Sequence, residues 1–395
     1  MRRLIEARGV EVVHLGHNRC VDDIVRAAIQ EDADGIAVSS YQGGHNEFFR
    51  YMVDRLRESG AGHIRVFGGG GGTITPEEIK ELMDYGVERI YHPHDGMELG
   101  LDAMIDDLVA RTRSARRSVT PPASSETVVD IAAMISALEE SLFDDAELAR
   151  LRKEWQMQAR QVPVIGITGT GGAGKSSVTD EILNRFLASF PDRRIAVLAV
   201  DPTRRRTGGA LLGDRIRMNS LRSDHIYMRS IATRRQHLAT SEMLSDHIAY
   251  LKAQGFDLVI VETAGIGQSD SEIVDMVDYS VYVMTSEYGA ASQLEKIDML
   301  DFADLIVLNK FDKRGAEDAL RDIRKQWKRN HVAFDTADDD VPVYPTIASQ
   351  FNDPGVSWMF AELCRRVAEK TGLDPAVWTP DIDTSIREPR STAMI

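Results

Sequence analysis

The chain has 395 residues, of which 43% are hydrophobic, and carries a formal net charge of −15. That length leaves room for two domains, while the acidic balance argues against a general nucleic-acid role, because a phosphate-backbone binder needs a basic face. No apolar run is long enough for a transmembrane span, and the opening Met1-Arg2-Arg3-Leu4-Ile5-Glu6 lacks the apolar core of a secretory signal. The only cysteines, Cys20 and Cys364, form no C-x-x-C pair, so neither a disulfide framework nor a thiolate zinc site is expected. These features predict a cytoplasmic protein that binds neither nucleic acid nor membrane.

Taken in chain order, strands are expected at residues 10–15, 35–40, 64–67 and 89–91. They alternate with helices such as residues 22–31 and describe a small parallel α/β sheet. Two loops at strand ends are rich in glycine: Ser39-Ser40-Tyr41-Gln42-Gly43-Gly44-His45 and the run Gly68 through Gly72. Composition alone makes these flexible turns, although a row of glycines also lets a large flat ligand approach the backbone. His17 reads as a loop histidine, and His92 and His94, flanking Pro93, lack the third ligand of a metal site. Residues 1–113 form the first module and 114–127, rich in Ser, Arg and Pro, a linker. Residues 128–161 follow as a helical connector, with Ile131, Met134, Ile135, Leu138 and Leu142 on one apolar stripe suited to packing.

The next module, residues 162–373, opens on an apolar strand that runs into Gly169-Thr170-Gly171-Gly172-Ala173-Gly174-Lys175-Ser176-Ser177. This is a complete G-x-x-x-x-G-K-S loop, followed by a helix with Val178, Ile182, Leu183, Phe186 and Leu187 on one face. Glycines allow successive N–H groups to turn toward phosphates at the positive end of the helix. Lys175 would reach the β- and γ-phosphates and Ser176 would ligate Mg2+. Gly169, Gly171, Gly172, Ala173, Gly174, Lys175, Ser176 and Ser177 are therefore the candidate phosphate-binding residues.

Three further strands end in polar residues. Residues 195–202 deliver Asp201 and residues 258–265 deliver Glu262 and Gly265, at the strand ends where ligands sit in open α/β sheets. Asp201 and Glu262 are candidate Mg2+ acids, and the Gly265 N–H can sense the γ-phosphate. Residues 305–312 end in Asn309-Lys310-Phe311-Asp312. A carboxylate at Asp312 can accept from guanine N1–H and the 2-amino group, donors that adenine does not offer in that arrangement. Arg204-Arg205-Arg206 reads as solvated loop charge. Residues 374–395 read as a polar, proline-punctuated tail.

The run Glu262-Thr263-Ala264-Gly265-Ile266-Gly267-Gln268-Ser269, with Asp201-Pro202, Thr207-Gly208-Gly209-Ala210 and Gly213-Asp214-Arg215, resembles the metallochaperone branch of P-loop GTPases. The likeness is to those that guard B12-dependent acyl-CoA mutases. It implies a mobile switch at about residues 266–275. The glycine-rich loops of the first module resemble the S-x-L and G-G signatures of the flavodoxin-like cobalamin-binding domain. That likeness implies corrinoid contacts at Ser39, Tyr41, Gly71 and Gly72, with Tyr41 standing where Leu is usual. The D-x-H-x-x-G motif that supplies the cobalt-ligating histidine, and the first strand before it, have no counterpart here, which counts against adenosylcobalamin binding. In order and extent the two modules resemble the N-terminal portion of the fused isobutyryl-CoA mutases, without their substrate barrel.

The resemblance implies a flavodoxin-like (Rossmann-like) domain lacking its first strand, followed by a P-loop NTPase domain with a mostly parallel sheet. It also implies Mg2+-dependent GTP hydrolysis, with GTP and GDP as ligands, that gates adenosylcobalamin loading or protection of a mutase. Expected partners are the acyl-CoA mutase substrate domain or subunit, a second copy in a homodimer, and a cobalamin adenosyltransferase. Lys175, Glu262 and Asp214 are the candidate catalytic residues, Asp214 through a water, and Arg215 is a candidate phosphate contact, although Asp214 and Arg215 could equally pair with neighbouring residues on the surface. The rival readings are a corrinoid carrier or scaffold that uses GTP only as a switch, a nickel-inserting maturation factor, and an ATPase. The nickel reading is disfavoured by the lack of a His-rich tract, and the ATPase requires residues 309–312 to be misread.

Overall fold

The computed structural model describes residues 1–40, 43–70, 72–122, 126–202, 209–233, 237–263, 273–288, 294 and 297–389. The chain divides into two compact units. The first comprises Met1–Ala149, Pro202–Ile216 and Met228–Arg234, and the second Arg150–Asp201, Arg217–Tyr227 and Arg235–Ile395. The chain thus leaves and re-enters each unit within the sequence that follows the phosphate-loop motif.

The first unit begins α1 (Arg2–Glu6), β1 (Glu11–Val13), α2 (Val21–Gln30), β2 (Gly35–Ser39), α3 (His45–Glu58), β3 (Arg65–Gly69), α4 (Pro76–Tyr85) and β4 (Arg89–Tyr91). It continues with α5 (Pro93–Glu98), α6 (Gly100–Ala115), α7 (Val128–Glu139) and the start of α8 (Asp145–Gln158). Strands β2, β3 and β4 form a parallel sheet in that order. Val21, Ile24, Val25 and Ala28 of α2 recur at helical spacing and are buried with Phe49, Met52, Val53 and Leu56 of α3 in one core. The start of α4 is fixed by a reciprocal cap between Thr75 and Glu78, with proline in its first turn.

The strand expected at 10–15 forms, but it does not join this sheet. Instead β1 pairs in parallel with β7 (Ala210–Leu212), Glu11 opposite Ala210 and Val13 opposite Leu212. Periodicity marks a strand and is silent about its partner, and here the partner lies far along the chain. A close approach makes the pairing possible: a Cβ on Gly209 would lie 2.4 Å from the Glu6 carbonyl oxygen and 2.8 Å from that of Val10. Both obstacles are backbone. Gly209→Ala is therefore expected to destabilise the chain by about 1–3 kcal/mol, read as a lower urea midpoint than wild type. An unchanged midpoint would show that β1 and β7 can separate at no cost.

The second unit holds β5 (Val164–Gly169), α9 (Lys175–Ser189), β6 (Ile195–Pro202, as far as Asp201), α10 (His237–Ala253), β9 (Leu258–Thr263), β10 (Tyr279–Met284) and α11 (Met299–Phe302). After these come β11 (Leu305–Asn309), α12 (Ala316–Asn330), β12 (Val343–Thr346), α13 (Pro354–Thr371) and α14 (Pro375–Trp378). β8 (Ile226–Thr233) starts in this unit and ends in the first. The sheet order is β12-β11-β10-β5-β9-β6-β8, and the pairs from β12 to β6 are parallel. β5, β10 and β11 are buried at every residue, which is why they read as continuous apolar runs rather than alternating ones.

The segment after residue 373 is anchored through Trp378, which is 4% exposed and packs against Phe186 of α9 and Phe190 just after it. Among the described residues no helix is long and apolar enough to cross a membrane.

Candidate functional site

Parallel strand order places β5 between β9 and β10, with β6 reached on one side and β11 and β12 on the other. Ligands bind at the carboxyl ends of strands beside such a reversal. The loop after β5 starts there. Gly169 has φ 149°, and a Cβ on it would fall 2.0 Å from the Val283 carbonyl oxygen, so no other residue fits. Gly174, at φ 92°, is the residue before α9 and offers the helix start no side-chain cap. Lys175 is the first residue of α9. It is 9% exposed, and its Nζ donates to the Gly169 and Thr170 carbonyls at 3.0 and 3.4 Å.

Opposite the start of α9 stands Glu262, 3% exposed at the end of β9. Its Oε1 accepts from Ser176 Oγ at 2.8 Å and its Oε2 from Thr179 Oγ1 at 2.9 Å. In the β6–β9 register Ala199 lies opposite Glu262 and Val200 opposite Thr263, so Asp201 follows at the same end of the neighbouring strand. A hydroxyl and two carboxylates form an all-oxygen donor set that fits Mg2+, which keeps several waters and relies on one or two carboxylates plus phosphate. Among the described residues no group of three His, Cys, Asp or Glu side chains could hold a metal by itself. Water and phosphate oxygens would complete the coordination.

The N-K-x-D segment is tied to the same loop. Asn309, 3% exposed, donates from Nδ2 to the Ala173 carbonyl at 2.8 Å. Its Oδ1 accepts from Thr346 Oγ1 and the Ala348 N–H, both at 3.1 Å. Lys310 adopts a left-handed φ of 59° and its Nζ reaches the Gly172 carbonyl at 2.6 Å. Asp312 is exposed, and among the described residues its carboxylate makes no hydrogen bond or ion pair. Sequence reading missed Thr179, Thr346 and Ala348. Thr179 was concealed on the buried face of α9, while Thr346 ends and Ala348 follows a short strand whose only signal was its V-Y-P-T run before small residues. The Ala348 turn is braced in turn by Asp353, whose carboxylate accepts from the Ile347 and Val356 amides; burial pushes its pKa up.

The other candidates lie in the first unit. Asp214 opens a 3-10 turn, Asp214–Arg217, and is half-buried. Arg215 is 5% exposed and paired with Glu31 at 2.5 Å, which removes it as a phosphate contact: its guanidinium is spent within its own unit. Ser39 ends β2 opposite Gly69 of β3, and the Ser40 N–H donates to the Gly69 carbonyl at 2.7 Å, so the two glycine-rich loops leave adjacent strand ends. A Cβ on Gly70 would strike the Ser40 carbonyl at 2.3 Å, and Gly72 has φ 80°. His17 is exposed, while His92 accepts from the His94 N–H and caps α5. Tyr41, Gly71, Gly265 and residues 266–272 lie outside the described residues. Residues 273–275 fall in the turn Ile273–Met276.

This fold and this loop, strand and helix arrangement define a P-loop nucleotide-binding protein of the GTPase class. Residues 132–375 match the family described as methylmalonyl-CoA mutase-associated GTPase MeaB, and the chain belongs to that family. Residues 1–92 match the B12 binding domain. The chain is similar to a fused isobutyryl-CoA mutase of Geobacillus kaustophilus, 52% identical over 97% of this chain and 36% of the relative. It is likewise similar to one of Cupriavidus metallidurans, 54% identical over 92% of this chain and 34% of the relative. It therefore spans about a third of the length of these relatives.

Proposed function

We propose that the chain hydrolyses GTP with Mg2+ and that this turnover gates the loading or protection of adenosylcobalamin in an acyl-CoA mutase of the isobutyryl-CoA type. The observation that carries the reading is the single knot of Lys175, Ser176, Glu262 and Asn309 around one glycine loop. In this reading Gly169 to Gly174 and the amides opening α9 enclose the phosphates, with Ser177 and Gly265 beside them. Lys175 neutralises charge that spreads over the γ-phosphate. Ser176, Glu262 and Asp201 hold Mg2+, and Thr179 keeps the Glu262 carboxylate turned toward Ser176. Bound Mg2+ would supply charge neutralisation at the phosphates. Asn309 and Lys310 fix the loop that presents Asp312 to guanine. Asp214 remains the candidate that positions a water.

For the corrinoid, the paired loops at Ser39 and Gly72, with Tyr41 and Gly71 by resemblance, suit the nucleotide tail. The working partners are a mutase substrate domain or subunit, a second copy of this chain and a cobalamin adenosyltransferase, in the cytoplasm. The units of function are taken as residues 1–113, 128–161 and 162–373, joined by 114–127 and followed by 374–395. The test is phosphate release from GTP and from ATP, with Mg2+ and with a chelator in its place. Multiple turnover of GTP that requires Mg2+, with ATP inert, is expected. Tight GTP binding without turnover would favour the corrinoid-carrier reading, in which the nucleotide is only a switch.

A further inference from the structure

Asp353 lies just before α13 in the second unit and is 0% exposed. Its Oδ2 accepts from two backbone N–H groups, Val356 at 2.9 Å and Ile347 at 3.1 Å. The bond to Val356 caps the helix, a task that a serine hydroxyl performs as well. The bond to Ile347 has a different purpose, because it ties the helix start to the turn that follows β12. Burial pushes the carboxyl pKa up despite these bonds, so the charge is held there at a cost. Capping alone does not call for that cost.

The turn after β12 belongs to the nucleotide site. Thr346 ends β12 opposite Asn309 of β11, and its carbonyl accepts from the Phe311 N–H at 3.0 Å. Thr346 Oγ1 and the Ala348 N–H hold Asn309 Oδ1, and Asn309 Nδ2 reaches the Ala173 carbonyl of the glycine loop at 2.8 Å. On its other side Asp353 is joined to α9. The guanidinium of Arg185, 8% exposed, donates to the Asp353 carbonyl at 3.0 Å and to Ser357 Oγ at 3.2 Å. Gly355 permits the close approach of α13 to β12: a Cβ there would fall 2.2 Å from the Pro345 carbonyl oxygen, and that obstacle is backbone. The bonds close a circuit that runs from the glycine loop through Asn309, the 346–348 turn and Asp353 to Arg185, and back along α9 to the loop. Hydrogen bonds joined in such a network fix a geometry together rather than singly.

We propose that Asp353 is a positioning residue for guanine-nucleotide binding. Through the Ile347 amide it holds the 346–348 turn, and with it Asn309 and the loop bearing Asp312, at the spacing from the glycine loop that a guanine nucleotide requires. This role rests on the GTP reading above, and Asp353 plays it through other residues rather than on the base itself. Its effect falls on affinity and on discrimination between bases. Lys175, Ser176 and Glu262 keep their own contacts, so turnover at saturating GTP is spared.

Two substitutions in the full chain separate the helix cap from the brace. Asp353→Asn presents an oxygen at the same reach, whereas Asp353→Ser still caps α13 but its shorter side chain leaves the Ile347 N–H without its acceptor. Competition of GTP and ATP against a fluorescent guanine nucleotide, together with steady-state phosphate release, reads the difference. In Asp353→Ser the GTP affinity is expected to fall roughly tenfold, the factor that about 1.4 kcal/mol represents. ATP binding should be unchanged, KM for GTP raised and kcat near that of wild type, and Asp353→Asn should restore the affinity. GTP binding in Asp353→Ser as tight as in wild type overturns the role and leaves Asp353 a helix cap, whatever the thermal midpoint does. Asp353→Asn as weak as Asp353→Ser also overturns it, because the Ile347 bond is then not the cause. Coupling is reciprocal, so a turn that improves the seating of the base is itself steadied by the base. In wild type, GDP should therefore slow hydrogen exchange over residues 346–356 as well as over 169–180. Protection of 169–180 alone overturns the role even where a variant fails to fold. No protection of either segment defeats the GTP reading itself, and this role with it.

Discussion

Lys175→Ala should lower phosphate release from Mg2+–GTP by roughly 10²–10³-fold or more, the range for loss of one preorganised group facing developing charge. The ammonium sits at the first residue of α9, held over the loop by the Gly169 and Thr170 carbonyls. Both acceptors belong to the loop that would wrap the phosphates, so an arriving γ-phosphate exchanges weak neutral acceptors for a charged one, at a distance the side chain already spans. Truncation leaves the helix intact. Alanine is the best helix former, and the apolar face of Val178, Ile182, Leu183 and Phe186, each no more than 1% exposed, is untouched. Circular dichroism and the thermal midpoint should therefore match wild type while turnover collapses. Turnover within a few-fold of wild type would remove Lys175 from the chemistry and with it the mechanism proposed for this site.

Much of that site was legible because its signals are local. The P-loop is contiguous, its glycines announce backbone conformations that side chains forbid, and the helix after it shows a 3.6-residue apolar period. Glu262 and Asp201 were legible as acids ending apolar strands. That they end neighbouring strands was not, because β6 and β9 are separated in sequence by β7, β8 and α10. Thr346 and Ala348 illustrate the same limit: their task is to hold Asn309 Oδ1, and nothing in the residues themselves says so.

Long-range pairing also explains the departures. β1 was recognised as a strand, yet its partner is β7, and Arg215 was a candidate phosphate contact that the fold pairs with Glu31 instead. Its burial against Glu31 depends on α2, which belongs to a different module by sequence. A charged residue in a motif has two ways to be satisfied, by ligand or by fold, and the tertiary structure alone separates them. The alternating and apolar runs fixed the secondary structure of the first module well, while the assignment of residues 202–216 to that module was invisible to them.

Asp312→Asn should lower GTP affinity by roughly 10²–10³-fold and raise that for xanthosine triphosphate, leaving ATP as poor a ligand as before. Guanine presents N1–H and a 2-amino group side by side, two donors for two carboxylate oxygens, and hydrogen bonds to a charged partner are worth about 1.5–3 kcal/mol each. Asparagine replaces one acceptor with an NH2, which opposes the guanine amino group but suits the carbonyl that xanthine carries there. Competition of GTP, XTP and ATP against a fluorescent guanine nucleotide measures all three. Unchanged discrimination between GTP and ATP would mean that Asp312 does not read the base and would revive the ATPase alternative. The experiment is clean because the loop is anchored elsewhere: Asn309 to the Ala173 carbonyl, Lys310 to the Gly172 carbonyl and the Phe311 N–H to the Thr346 carbonyl at 3.0 Å. Asp312 takes no part in those bonds and is exposed, so its replacement changes what the loop offers a base while the loop keeps its shape.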